Sequence, residues 1–171
     1  MDKIEQNRES LRAIQQVFQS AVENNSIGDM RTHIDPNFSF VSFTDKSFEN
    51  FDDFEKQWNI TRAEMIGNGK FTTELNPEPT VFIGDIAVCK GNASNHMTDK
   101  QGKSYEYSSN WTVIFKQNDG IWKVLRAHNS LDPFANPMLK SRVKSLIIKS
   151  CAVAFILGGI ACSLATYLLT R

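Results

Sequence analysis

The feature that most constrains this chain is a run of 20 residues without a charged side chain, residues 150–169. At about 1.5 Å per residue a helix of that length spans about 30 Å, the thickness of a bilayer's hydrocarbon core. Helices buried in soluble proteins rarely run this long without a charge, and a signal peptide would lie at the other end of the chain. We therefore predict a transmembrane helix over residues 146–170.

Basic residues flank this segment unequally. Lys140, Arg142, Lys144 and Lys149 precede it, and only Arg171 follows it. Because positive residues stay on the cytoplasmic side, the preceding part of the chain is expected to face the cytoplasm, with the segment acting as a C-terminal, single-pass anchor. The basic cluster is also expected to lie against anionic membrane lipids, at about 1 kcal/mol per charge near the surface.

Charge divides the chain at the same place. Up to Leu139 there are 14 basic and 19 acidic residues, a net charge of −5, whereas the remainder carries five basic residues and no acid. This predicts a soluble domain over residues 1–135 and a basic juxtamembrane linker over residues 136–145. The acidic balance of the domain argues against nucleic acid as a partner.

One feature of the tail has two interpretations. Ala154, Gly158 and Cys162 recur every four residues, which is the pattern that lets membrane helices approach closely, although small residues are also simply common in such helices. No cysteine pair has metal-ligand spacing, and a reducing compartment predicts free thiols. We predict no metal and no cofactor.

Hydrophobic periodicity divides the soluble part into helices followed by strands. A long amphipathic helix is predicted over residues 3–24, a short one over residues 27–33, and a third that begins after Asn50 as its cap. Alternating patterns predict strands over residues 37–43, 71–75, 80–90, 104–116 and 121–130, with a hairpin turn at Asn118-Asp119-Gly120. A turn or bulge at Gly84-Asp85 is predicted to break the third of these strands, and residues 92–98 are a candidate continuation of it. Three N-terminal helices and a run of antiparallel strands indicate an α+β domain with helices on one face of the sheet.

Three stretches of this domain resemble a known superfamily. Residues 28–43 (GDMRTHIDPNFSFVSF), 48–58 (FENFDDFEKQW) and 110–133 (NWTVIFKQNDGIWKVLRAHNSLDP) are similar to the nuclear transport factor 2-like superfamily, and within it to SnoaL-like and ketosteroid-isomerase-like proteins. The resemblance implies a cone-shaped domain in which a curved antiparallel sheet and helices enclose a pocket, commonly dimeric through the outer sheet face. It implies no single activity, because this fold hosts enzymes, transport factors and assembly domains.

Alternation along the last strand places Trp122, Val124, Arg126 and His128 on one face. The resemblance implies that one such face lines the pocket, where Arg126 and His128 would suit an anionic or hydrogen-bonding ligand. The other candidate pocket residues are Tyr107, Trp111, Trp58 and His33. The competing interpretation is structural: a hydrogen-bonded histidine, an ion-paired arginine and core aromatic residues.

No residue is predicted to be catalytic. Ketosteroid isomerase chemistry needs a general-base carboxylate in the pocket, and the resemblance would place it shortly after the first long strand. That region contains Asp45 and Glu49 but no Asp-Pro, and its polar Thr44-Asp45-Lys46 run is typical of an exposed turn.

The leading hypothesis is a membrane-anchored, non-catalytic module that binds a small lipophilic ligand or a protein, as a homodimer or as a subunit of a membrane complex. The alternatives are an isomerase, cyclase or hydratase acting on a lipophilic molecule, and an accessory scaffold subunit. A deep cavity with a buried carboxylate opposite Tyr107 or His128 would favour the enzyme. An interior filled by aromatic side chains would favour the module.

Overall fold

A computed structural model describes residues 2–169. Among these, the side chains of residues 138, 141, 142, 161–165, 167 and 169 are not described, so the predictions made for the Arg142 and Cys162 side chains lie outside the described residues. The chain divides into two compact units, with the division between Asp132 and Pro133.

The first unit begins with helices at the predicted positions. They are α1 (Lys3–Asn24), a 3₁₀ helix (Ile27–His33) and α2 (Phe51–Met65). Asp2 caps the start of α1, and Asn25 ends it in the left-handed conformation, with φ of 56°. Asn50 caps α2 as predicted, because its side chain accepts a hydrogen bond from the Asp53 backbone N–H.

Seven strands follow or separate these helices. They are β1 (Ile34–Val41), β2 (Ser47–Phe48), β3 (Phe71–Pro77), β4 (Val81–Ile83), β5 (Ile86–Thr98), β6 (Ser104–Asn118) and β7 (Ile121–Ser130). They form one sheet in the order β2-β1-β7-β6-β5-β3, with β4 paired to β5. The sheet is curved and unclosed, and the predicted α+β class is confirmed. Every pairing is antiparallel except β1 with β7, which is parallel.

The first strand differs from its prediction. It begins at Ile34 rather than Asn37, and Pro36 is accommodated because the β1–β7 register shifts between Ile34 and Ser39. After Val41 the chain turns back through Asp45, whose φ is 61°, into the two-residue strand β2, which the sequence pattern did not predict. The turn at Thr44-Asp45-Lys46 is exposed, as predicted.

The last hairpin contains an irregularity that determines which β7 side chains face the helices. Its turn is as predicted, with positive φ at both Asp119 and Gly120. Ile114 of β6 pairs with Arg126 of β7, but the next residue, Phe115, pairs with Val124, which leaves Leu125 as an extra residue. This β-bulge reverses the alternation of every β7 residue that follows it.

The core lies between the helices and the inner face of the sheet, which is the face that carries the buried strand residues. Leu11, Ile14 and Ala21 of α1 and Phe51 and Phe54 of α2 belong to it. The strands contribute a larger set of inner-face residues, among them Phe38, Ala87, Cys89, Ala93, Trp111, Phe115, Trp122 and Val124. The first unit is therefore a helical layer packed on one face of a sheet.

The second unit consists mainly of one helix, α3 (Pro137–Leu169). Proline at the first helical position has no N–H to leave unsatisfied, and the Asn136 side chain accepts a hydrogen bond from the Leu139 N–H. Residues 143–160 have a mean hydropathy of 1.8 and are long and apolar enough to span a membrane. The helix begins inside the segment predicted as a linker, so Lys140, Lys144 and Lys149 lie on α3 itself.

The Asn50 cap of α2 gives a stability prediction. We expect Asn50→Ala to lower the free energy of unfolding by about 1 kcal/mol, because the Asp53 N–H loses its acceptor. Asn59→Ala is the matched control, since Asn59 is exposed within the same helix. It should be neutral or slightly stabilising because alanine favours helix. Urea unfolding followed by circular dichroism measures both, and equal effects of the two substitutions would contradict the assigned cap.

Candidate functional site on the inner face of the sheet

A series of aromatic contacts runs across the inner face of the sheet, from β1 near one edge to β3 at the other. Phe40 of β1 contacts Phe54 of α2 at 4.8 Å between ring centroids, Phe54 contacts Trp58 at 6.0 Å, and Trp58 stacks on Phe71 of β3 at 6.0 Å. We call these four residues the aromatic bridge. Because β1 and β3 lie on opposite sides of β7, β6 and β5 in the sheet order, the bridge passes over the inner face of those three strands.

The strands beneath the bridge carry neutral polar groups. Asn95 of β5 and Ser109 of β6 are buried, and the Asn95 amide donates to the Ser109 hydroxyl oxygen at 3.0 Å. Tyr107 pairs with Asn95, and Asn129 of β7 pairs with Trp111. Burial raises the pKa of Tyr107 to about 12, so its hydroxyl stays protonated at neutral pH.

Two polar atoms in this region are buried without a hydrogen-bond partner among the described residues. They are Trp58 Nε1, a donor on α2, and Asn129 Oδ1, an acceptor on β7. The other two tryptophans differ: Trp111 Nε1 donates to the Asn92 carbonyl at 2.9 Å, and Trp122 Nε1 donates to Asn7 Oδ1 at 3.2 Å. An unsatisfied buried polar group costs about 1–3 kcal/mol. Such groups call for a functional explanation.

The structure brings three of the six predicted pocket residues into one region. Trp58 belongs to the aromatic bridge, and Tyr107 and Trp111 follow the inner-face alternation of β6. His33 is half-buried at the end of the 3₁₀ helix. The ligand-binding role of these residues stays a prediction.

The shared face predicted for Trp122, Val124, Arg126 and His128 is wrong. Trp122 and Val124 are in the core, but Arg126 and His128 lie beyond the bulge and are exposed on the outer face of the sheet. Arg126 donates to the Ser39 hydroxyl at 2.9 Å. The same bulge places Asn129 on the inner face, opposite Trp111. Because unbroken alternation would put His128 there, the sequence pattern predicted His128 and missed Asn129.

Asp35 is the carboxylate that the structure places among its buried residues. Its Oδ1 accepts from the Asn37 backbone N–H at 2.9 Å, and its Oδ2 accepts from the Asn118 side chain at 2.9 Å. The hydrogen bond from the Asn37 backbone is the main reason that the pKa of Asp35 lies below its usual value. Asp35 is therefore an anion that ties β1 to the β6–β7 turn.

Three further acids are either hydrogen-bonded or exposed. Asp99 accepts hydrogen bonds from the Gln101 and Lys103 N–H groups and from the Tyr105 hydroxyl. Although desolvation opposes it, these bonds keep the pKa of Asp99 below its usual value. Asp45 and Glu49, the acids nearest to where the sequence resemblance would place a general base, are both exposed.

One buried cation lies close to the bridge. Arg62 follows Trp58 by one turn of α2, and its Nη1 donates to the Val22 carbonyl oxygen at 3.1 Å. Val22 lies in the last turn of α1, where the helix dipole favours a positive charge. Desolvation lowers the pKa of Arg62 below its usual value, but its guanidinium remains bound to the end of α1.

A separate surface cleft of about 380 Å³ lies between α1 and the loop after β3. Arg8 and Arg12 line it, and both pair with Glu5, at 3.3 and 3.0 Å. The charged arginines of this cleft are thus partnered at the surface, whereas the unpartnered atoms of the inner face, Trp58 Nε1 and Asn129 Oδ1, belong to neutral side chains. Within the described residues, no group of three histidine, cysteine or acidic side chains could hold a metal ion.

Comparison with known proteins identifies the family. The model of the SnoaL-like domain matches residues 11–134. The chain belongs to the SnoaL-like family. This confirms the resemblance found in the sequence. No curated protein compared with the chain matches it significantly.

Solved structures share the SnoaL-like fold at low sequence identity. A nuclear transport factor 2-like superfamily protein from Salmonella enterica is 12% identical with a TM-score of 0.64, covering 72% of this chain and 89% of that one. A type 2 hexachlorocyclohexane dehydrochlorinase (LinA) is 12% identical with a TM-score of 0.65, covering 74% and 85%. A putative aromatic ring hydroxylase from Novosphingobium aromaticivorans is 13% identical with a TM-score of 0.65, covering 77% and 92%. These similarities establish the pocket fold of the domain.

The role assigned to Asp35 predicts a pH dependence. Because its pKa is lower in the folded chain than in the unfolded one, its contribution to stability is fully present at neutral pH. That contribution is lost as the pH falls below about 3.9, the pKa of an unfolded aspartate. We expect Asp35→Asn to destabilise the protein at pH 7, and the difference from the wild type to shrink below that pH.

Chemical unfolding between pH 7 and pH 3 measures this difference. Asp85→Asn is the control, because Asp85 is an exposed carboxylate in the β4–β5 turn. A difference between wild type and Asp35→Asn that stays constant across this range would contradict the structural role of the carboxylate.

Proposed function

We propose that this protein is a membrane-anchored, non-catalytic binding module whose SnoaL-like domain holds a neutral, lipophilic small molecule on the cytoplasmic side of a membrane. The observation that carries the proposal is the chemistry of the inner face. Its polar groups beneath the aromatic bridge are amide, hydroxyl and indole groups, including Asn95, Ser109 and Asn129. Such groups orient a neutral ligand among apolar walls.

Catalysis by proton abstraction is less well supported. A general base needs a carboxylate or imidazole within reach of the substrate. Asp35 and Asp99 are engaged by hydrogen-bond donors, and His128 is exposed on the outer face. The aromatic bridge fills part of the interior, which favours a binding module.

An enzyme is the second candidate. Two proteins with the same fold are a dehydrochlorinase and a putative aromatic ring hydroxylase, so this architecture admits chemistry on apolar molecules. His33 is half-buried, and such an activity would need its imidazole as the acid or base. A third candidate is an accessory scaffold in a membrane complex, which would contact its partner through the outer face of the sheet.

We propose a second copy of this chain as the partner of that outer face. Val81, Val88 and Ile114 are neighbours across β4, β5 and β6 and lie on this face. Val81 is 56% exposed, and Ile83 on the same strand is 63% exposed. Adjacent exposed apolar residues of this kind mark interaction surfaces. The outer face is also where the superfamily resemblance places a dimer interface.

The anchor is the remaining part of the proposal. Helix α3 is long and apolar enough to cross a bilayer, and its lysines, Lys140, Lys144 and Lys149, all lie in its N-terminal half, the last two within the first seven residues of the candidate span. This distribution supports a cytoplasmic domain. Fixing the domain to a membrane keeps it near a supply of apolar molecules.

Native mass spectrometry of the full chain released from detergent tests binding, turnover and assembly together. We expect a dimer that carries a neutral small molecule, and we expect incubation to leave that molecule chemically unchanged. Val88→Lys should give a monomer, whereas Ser94→Lys, an exposed position on the same strand, should not. Conversion of the copurified molecule would instead establish an enzyme, and a wild-type monomer would refute the dimer.

Removing residues 146–171 tests the anchor. We expect the truncated chain to appear in the soluble fraction after cell lysis, because the apolar span is lost. The full chain should resist extraction by alkaline carbonate. Truncated protein that still sediments with membranes would show that the tail is not the sole anchor.

A further inference from the structure

We infer that Trp58 Nε1 and Asn129 Oδ1 form a two-point subsite for the hydroxyl group of a neutral apolar ligand. Trp58 Nε1 and Asn129 Oδ1 are buried and have no hydrogen-bond partner in the part of the chain that the structure describes. One is a donor and the other an acceptor. A hydroxyl group is the simplest ligand group that satisfies both, because its oxygen accepts one hydrogen bond while its hydrogen donates another.

The positions of the two residues support a shared subsite. Trp58 is held in the aromatic bridge by Phe54 and Phe71, each at 6.0 Å between ring centroids. Asn129 is held on β7 opposite Trp111, on the strands that the bridge crosses. Helix α2 therefore carries one of the two unsatisfied atoms in the helical layer, and strand β7 carries the other in the sheet beneath it.

The surroundings select against charged ligands. Beneath the bridge the neighbouring side chains are the aromatic rings of Tyr107 and Trp111 and the paired polar groups of Asn95 and Ser109. The nearest buried cation, Arg62, donates to the Val22 carbonyl. An ionised carboxylate or amine placed here would be desolvated without an opposite charge, which is costly. The ligand class is therefore an alcohol or phenol on an apolar skeleton.

This inference rests on the proposed binding function and adds the chemical group that the site recognises. The test uses the full chain in lipid nanodiscs, labelled with ¹⁵N at its three tryptophan indoles. The probes are 2-naphthol, naphthalene and 2-naphthoate, which share one ring skeleton and differ in their polar group. Trp111 and Trp122 are internal controls, because their indole N–H groups already have acceptors.

We expect 2-naphthol to shift the Trp58 indole signal and to leave the other two signals unchanged. We also expect 2-naphthol to bind about tenfold more tightly than naphthalene, the effect of one buried hydrogen bond. Asn129→Leu should remove this preference, and 2-naphthoate should bind more weakly than either probe. The probe is supplied in two ways, either already dissolved in the nanodisc lipid or added to the buffer. Comparing the Trp58 signal in the two cases distinguishes a ligand taken from the bilayer from one taken from solution.

The outcomes separate the two claims. Equal binding of 2-naphthol and naphthalene by the wild type, or a preference that survives in Asn129→Leu, would overturn the hydroxyl subsite while leaving a binding module. Because the wild-type comparison needs no variant, a folding defect in Asn129→Leu cannot obscure the result. If none of the three probes moves any indole signal, the proposed binding function fails and the subsite fails with it.

Discussion

The extra residue in β7 determines which chemistry the inner face can offer. Before Leu125 the strand sends Trp122 and Val124 into the core, and after it the strand sends Arg126 and His128 outward. Without the bulge, a cation and a titratable imidazole would lie under the aromatic bridge. With it, that region receives the amide of Asn129, and its polar groups are neutral.

The aromatic bridge then defines the region by covering it. Phe54 and Trp58 are spaced four apart on α2, so both rings project from one side of the helix. They reach Phe40 on β1 and Phe71 on β3, the strands on either side of the inner face. Aromatic pairs of this geometry each contribute about 0.5–1.5 kcal/mol beyond the area they bury. The Trp58 N–H has no acceptor among the described residues, and the proposed ligand binding is argued from this unsatisfied donor.

Local patterns in the sequence predicted most of the fold. The bounds of α1 and β7, the Asn50 cap and the Asn118-Asp119-Gly120 turn follow from nearest-neighbour chemistry, and each is present. The parallel pairing of β1 with β7 and the strand β2 were not predictable, because they depend on contacts between distant segments. The bulge was not predictable for the same reason. Alternation within β7 does not show that Leu125 is left without a pairing partner on β6. That single irregularity moved two predicted site residues out of the inner face and concealed Asn129.

The most direct test of this account is the orientation of β7 after Leu125. Single cysteines would be introduced by Arg126→Cys, Ala127→Cys, His128→Cys and Asn129→Cys in a Val88→Lys background without the three native cysteines, in which a second copy does not cover the outer face. Their rates of reaction with a charged maleimide would be compared. The account predicts fast labelling at positions 126 and 128 and slow labelling at 127 and 129. Fast labelling at 129 with protection at 128 would show that the alternation is unbroken, and the neutral inner face would have to be abandoned.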